Sequence, residues 1–233
     1  MPAKLTKPRL LLIGVVAVVA LFALAYFALF NTDSPSKLTL QTKGSTAAAP
    51  TGDLAGTWTV ADGSVAGYRV REKLAQLPAP SDAVGRTGAI TGQVTITDRG
   101  GAYSAGNATF TVDVSQLKSN QAKRDNKIRS IGLETDKYPQ ATFAAAGPIS
   151  IPADAVNGKL STVEAQGDLT VHGQTRKVTI PLQVQRDGAQ IKIAGNYPFH
   201  WADFGMTAPS IQPFVSVTGE PTLEFELHLS KQA

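Results

Sequence analysis

Acid–base or nucleophilic chemistry in this chain would have to come from three histidines, a pair of glutamates or a serine, and the spacing argues against each. His172, His200 and His228 stand 28 residues apart, and the chain has no cysteine. Zinc sites normally include at least one closely spaced ligand pair, so no metal is expected. His172 lies beside Gly173 in GDLTVHGQTRKVTIPL, where it reads as the corner of a hairpin. His228 alternates onto the polar side between Leu227 and Leu229. A serine nucleophile would need a strained turn such as Gly-x-Ser-x-Gly, which is missing; Ser64 and Ser104 sit in strand-like stretches. Glu224 and Glu226 share one strand face, opposite Leu223, Phe225, Leu227 and Leu229. That placement makes them solvated surface rather than an acid–base pair. The chain is therefore not expected to be an enzyme, and no catalytic residue or cofactor is assigned.

The elements around these residues have a period of two. ATFTVDVSQL sets Ala108, Phe110, Val112 and Val114 on one face, RKVTIPLQVQRDG does the same with Val178, Ile180, Leu182 and Val184, and TLEFELHLSK with its four large apolar residues. QVTITDRG, AQIKIAG and SVAGYRVRE follow less completely. Such alternation marks half-buried antiparallel strands. Asp98-Arg99-Gly100-Gly101, Asn157-Gly158 and Asp187-Gly188 supply turn chemistry between them. SNQAKRDNKIRSIG breaks the period with helix formers, an Asp125–Arg129 pair at i,i+4, Ser119 or Asn120 to cap its start and Gly132 its end. Pro139 then holds Tyr138 extended and launches the next strand. About eight strands with one short helical insertion describe a sandwich or a closed up-and-down barrel.

The first 50 residues differ in kind. Lys4, Lys7 and Arg9 form a basic flank over residues 1–9, followed by an uncharged apolar run over 10–30. At about 1.5 Å per residue that run spans a bilayer core of roughly 30 Å. It reads as a signal-anchor with the N-terminus cytoplasmic and the remainder outside; a cleaved signal, giving a secreted protein, is the alternative. Residues 31–52, rich in Ser, Thr, Ala and Pro, read as a flexible linker, with KLTL at 37–40 able to pair locally, and residues 53–233 as the folded domain. The net charge of +4 arises in residues 1–50, and the rest balances 17 basic against 17 acidic side chains, so nucleic acid is not an expected partner.

Three stretches together resemble the YceI-like family of exported lipid-binding proteins, over about residues 56–230. VDVSQLKSNQAKRDNKIRSIGLETDKYPQATF is similar to the family's strand–helix–strand core, with Arg124 and Asp125 on the helix and Tyr138, Pro139 and Phe143 at the strand entry. GDLTVHGQTRKVTIPL is similar to its Gly-x-Leu-Thr-x-x-Gly hairpin, and ADFGMTAPSI to its Asp-Phe-x-Met segment. One region departs from the pattern: REKLAQLPAPSDAVGRTGAITG, residues 71–92, is longer than the family's segment and lacks its histidine. The resemblance implies an extended eight-stranded antiparallel barrel of lipocalin type. It also implies a lumen for a polyisoprenoid or other long-chain lipid, with a quinone or an alcohol as head-group options. Arg124, Asp125, Lys127 and Arg129 read first as a solvated helix face and second, through the resemblance, as a tie between helix and barrel.

Alternation within such a barrel nominates Tyr68, Val70, Phe110, Val112, Phe143, Leu169, Val171 and Phe225 as lumen residues. NYPFHWADFGM adds Phe199, Trp201 and Phe204, read either as a packed barrel end or as the rim of a lipid tunnel, with Phe199 and Trp201 on one strand face. The expected function is a membrane-tethered protein that stores or transports an isoprenoid-type lipid. A fully packed barrel acting as a cell-envelope interaction module is one alternative, and an enzyme acting on a bound lipid another.

Overall fold

A computed structural model of the 233-residue chain describes residues 34–40, 47–74, 80–211 and 215–232. The apolar segment 10–30 lies outside the described residues. No helix among the described residues is long and apolar enough to cross a membrane.

Among the described residues thirteen strands make one antiparallel sheet: β1 (Gly56–Val60), β2 (Val65–Leu74), β3 (Ser81–Thr87), β4 (Ile90–Arg99), β5 (Ala102–Asp113), β6 (Gln140–Ala145), β7 (Ile149–Ser150), β8 (Ser161–Val171), β9 (Gln174–Asp187), β10 (Gln190–Pro198), β11 (Ser210–Ile211), β12 (Val215–Val217) and β13 (Thr222–Lys231). The pairing runs β1-β4-β5-β6-β8-β9-β10-β13 and returns to β1, which closes an eight-stranded barrel. Strands β2 and β3 continue the first two staves: β2 pairs with β13 beyond β1, and β3 with β2. Strand β7 lies on β5, and β12 on the far end of β2.

Local chemistry explains the joints. Between β1 and β2 the ladder is interrupted, and the buried Ser64 hydroxyl replaces it by donating to the carbonyl of Ala61 and accepting from the amide of His228, at 2.8 and 2.9 Å. The β4–β5 turn uses Gly100 and Gly101 and the β8–β9 turn His172 and Gly173, each pair with positive φ, as two-residue hairpin loops require. The hairpin corner is two residues long, His172 and Gly173. Two apolar clusters pack the barrel's inner surface. One is built on Trp58, Val94, Ile96 and Leu229, the other on Leu169, Val171, Ile180, Phe199 and Phe204.

Three expectations change. The helical insertion is an α-helix over Ala122–Lys127 continued by a π-helical turn over Ile128–Gly132. Its N-cap position, Gln121, makes no side-chain cap bond. Instead Asp125 reaches back to accept from the amide and hydroxyl of Ser119, at 2.9 and 2.6 Å, rather than pairing with Arg129. In the NYPFHWADFGM stretch β10 ends at Pro198, and Trp201 lies in a 3-10 turn over Trp201–Phe204, so Phe199 and Trp201 do not share a strand face.

The described parts of the linker are tied to the barrel wall. The carbonyls of Pro35 and Leu38 accept from Arg69 and Asn196, at 2.6 and 2.9 Å. The Leu40 amide donates to Gln183 at 2.9 Å, and its side chain is buried. Further on, the Ala48 amide donates to Asp187 and the Ala48 carbonyl accepts from Gly188. Composition argued only about apolar burial; these segments are held by hydrogen bonds between their backbone and polar side chains of the wall.

Candidate functional site

The lumen contains two apolar cavities that share Leu182 and Ile193 in their walls. The larger has about 1040 Å³ of atom-free space and the smaller about 600 Å³.

The space exists because the lumen aromatics lie flat. Phe110 is the cross-strand partner of Gly92, Phe225 of Gly195 and Tyr68 of Gly85. A Cβ on Gly92 would stand 2.4 Å from the Phe110 ring, one on Gly195 2.5 Å from Phe225, and one on Gly85 2.3 Å from Tyr68. Phe143 lies over Gly167 in the same way, at 2.6 Å. Each ring folds onto a bare backbone instead of reaching across the axis, a close approach that only glycine permits in a strand.

Of the residues nominated from the sequence, Tyr68, Phe110, Val112, Phe143, Leu169, Val171, Phe199 and Phe225 line the larger cavity. Val70 is buried but lies outside its lining. Phe204 is fully buried behind the wall, edge-on to Phe199 with ring centroids 5.2 Å apart. Trp201 is half-buried and donates its indole N–H to the carbonyl of Gly219. Residues not nominated also line the cavity: Ile180, Leu182, Leu223 and Leu227 follow the same alternation, whereas Leu117 and Leu133 come from the excursion between β5 and β6.

That excursion is bound to the barrel by polar contacts. Arg124 forms an ion pair with Glu72, which shares the Tyr68 and Val70 face of β2 and is itself buried. The helix charges therefore divide: Arg124 is the tie and Asp125 its brace, while Lys127 and Arg129 are exposed. Burial pushes the Tyr68 phenol above its ordinary value, so it remains a neutral hydrogen-bonding group on a wall that is otherwise apolar. His172 is a second tie: its Nδ1 lies 3.1 Å from the carbonyl of Phe204 and its Nε2 2.6 Å from Glu134, with Tyr138 packed against the imidazole.

The three histidines have separate carboxylate partners, His172 with Glu134, His200 with Glu220 and His228 with Glu226. No cluster that could hold a metal occurs among the described residues. Glu224 departs from expectation. It faces away from the lumen but is 0 % exposed, held between Arg69 at 3.2 Å and Arg86 at 2.7 Å, with residues 34–40 running over it. Asp82 completes the cluster; burial alone would raise its carboxyl, but hydrogen bonds from Arg71 and Arg69 outweigh it and hold the group below the ordinary carboxylate value.

Fold and lumen together define an up-and-down β-barrel with an apolar interior open to a ligand. A family model for the YceI-like domain matches residues 58–229, and the chain belongs to that family. A UPF0312 protein of Vibrio cholerae serotype O1 is 32% identical over 121 residues, 49% of this chain and 60% of the relative. One from Vibrio parahaemolyticus is 36% identical over 124 residues, 51% of this chain and 58% of the relative. The chain thus spans about 60% of the length of these curated relatives. Among solved structures, a polyisoprenoid binding domain from Saccharophagus degradans, implicated in plant cell wall breakdown, superposes with a TM-score of 0.58 at 17% identity, covering 76% of this chain and 99% of that one. Burkholderia cenocepacia BcnA does so with a TM-score of 0.51 at 23% identity, covering 70% and 95%. Both likenesses are of fold.

Proposed function

We propose that the chain binds the tail of a polyisoprenoid-type lipid in its barrel lumen and stores or carries it outside the cytoplasmic membrane, to which residues 10–30 tether it. The observation that carries this reading is the larger cavity, whose wall is apolar apart from Tyr68 and Thr142 and whose rings lie back on glycines. An isoprenoid tail has no hydrogen-bonding handle, so its recognition needs only apolar area, at about 0.8 kcal/mol per buried methylene. The name of the Saccharophagus domain supports the ligand class. The ligand is held rather than transformed, and no catalytic cofactor takes part.

The open lumen counts against a packed barrel acting only through its outer surface, since large side chains would then meet across the axis. Mass spectrometry of lipids extracted from protein purified from its own membranes is the test, with a prenyl lipid at near-stoichiometric amounts as the expected result. If no prenyl lipid is recovered and none binds when added back, the reading is lost. Fractionation of cells producing the full chain tests the tether, with the protein expected in the membrane pellet and accessible to protease from outside.

A further inference from the structure

The smaller cavity contains one charged residue, which an apolar tail does not explain. On β9 the lumen-facing positions run Val178, Ile180, Leu182, Val184 and then Arg186. Arg186 lines the smaller cavity among Leu54, Val94, Ile96, Ile151, Val156 and Leu229. It is 7% exposed, and its Nε is buried without a hydrogen-bond partner. Its Nη2 donates to the carbonyls of Thr51 and Gly52, which are neutral acceptors. Among the described residues no carboxylate lies within ion-pair distance of it; Asp187, the next residue, is engaged by Lys192 and the amide of Ala48. The other buried guanidinium among the described residues is paired: Arg69 has Glu224 and Asp82.

A buried cation with an idle donor at the edge of a ligand cavity is costly unless an anion arrives with the ligand. We infer that the lipid carries an anionic oxygen head group, a carboxylate or a phosphate, and that this head sits against Arg186 in the smaller cavity. The tail then runs past Leu182 and Ile193 into the larger one. Six residues of β9 separate Arg186 from Ile180, roughly 20 Å of strand, so head and tail occupy the two cavities along one path. This rests on the lumen being the lipid site, and it specifies which cavity takes the head of the lipid and what charge that head bears. Arg186 would thereby both hold Thr51–Gly52 against the barrel and read the ligand's head.

The test is a binding comparison on delipidated full-length protein, using geranylgeraniol, geranylgeranoic acid and geranylgeranyl phosphate, which share one tail. The acid, the phosphate or both are expected to bind at least about tenfold tighter than the alcohol, the usual size of a hydrogen bond to a charged group. The better of the two identifies the head. Arg186→Met is expected to erase that gap by weakening the acid and the phosphate towards the level of the alcohol. Equal binding of all three by the native protein overturns the inference and leaves the lumen reading standing. Failure of all three overturns both. Equal weakening of all three in a folded Arg186→Met protein shows a purely structural arginine and also overturns it; if that variant does not fold, the native comparison decides alone.

Discussion

Nε2 of His172 and a carboxylate oxygen of Glu134 lie 2.6 Å apart, and both residues hold left-handed backbone, with φ of 51° and 46°. Such conformations are uncommon away from glycine and persist where surrounding contacts impose them. Here the contact joins the β8–β9 hairpin to the excursion that places Leu133 on the larger cavity. Replacing His172 by Asn, which tolerates the left-handed backbone, removes the bond without adding strain. The expected cost is about 1 kcal/mol, given the half-exposed carboxylate. Stopped-flow measurement of lipid release should then show a rate increased by about fivefold, because opening the excursion costs that much less.

Gly195 decides where the Phe225 ring can lie, since an added Cβ would stand 2.5 Å from it. Gly195→Val should drive the ring into the lumen and cost about 1–3 kcal/mol in overpacking. Prenyl-lipid capacity is expected to fall with it in a titration against tryptophan emission. Gly106→Ala, where nothing lies within 4 Å of the new atom, is the control and should change neither quantity.

Glu224 neutralises two arginines at 0 % exposure, so Glu224→Ala leaves both without their shared partner. A loss of about 3–5 kcal/mol is expected in urea unfolding, the usual cost of breaking a buried pair from one side. Glu226→Ala, on the same face but partly exposed, should cost well under half as much.

Acid should loosen the segments that run over the wall. Asp82 and Asp187 are both held below their ordinary carboxylate value of 3.8, Asp82 by its arginines against an opposing burial effect and Asp187 first by Lys192 and then by the amide of Ala48. A lowered folded value means that their contribution is complete above the unfolded value and is lost as pH falls below it through the folded one. Hydrogen exchange at Leu40 and Ala48, which donate to the wall, is expected to accelerate over that acidic interval. Asp82→Asn should bring the Leu40 change forward to neutral pH while sparing Ala48.

The walls were legible because period-two alternation states which residues share a face. Phe110, Val112, Phe143, Leu169, Val171 and Phe225 were read that way and lie on the lumen. Alternation is silent about what covers the opposite face, which is why Glu224 read as solvated although residues 34–40 and two arginines enclose it. It also fails where the chain leaves the strand: Trp201 and Phe204 belong to a 3-10 turn, and Leu133 enters from a π-helical turn. Arg186 was visible as a charge in an apolar register, QVQRDG, but a single charge at a strand end reads as surface until the cavity beside it is seen.

The last described strand is also the seam of the barrel. Strand β13 pairs with β10 on one edge and with both β1 and β2 on the other, joining Trp58 to Lys231 and Arg69 to Thr222. Before Thr222 has been synthesised, β1 and β10 lack their shared partner and the sheet has two free edges. Closure therefore waits on contacts between the beginning and the end of the domain, the arrangement that makes folding slow and leaves a partly made chain prone to association. A chaperone acting on this protein would be needed most in the interval before that final stave arrives, and the same late seam gives a tail the chance to be enclosed as the barrel shuts rather than threaded in afterwards.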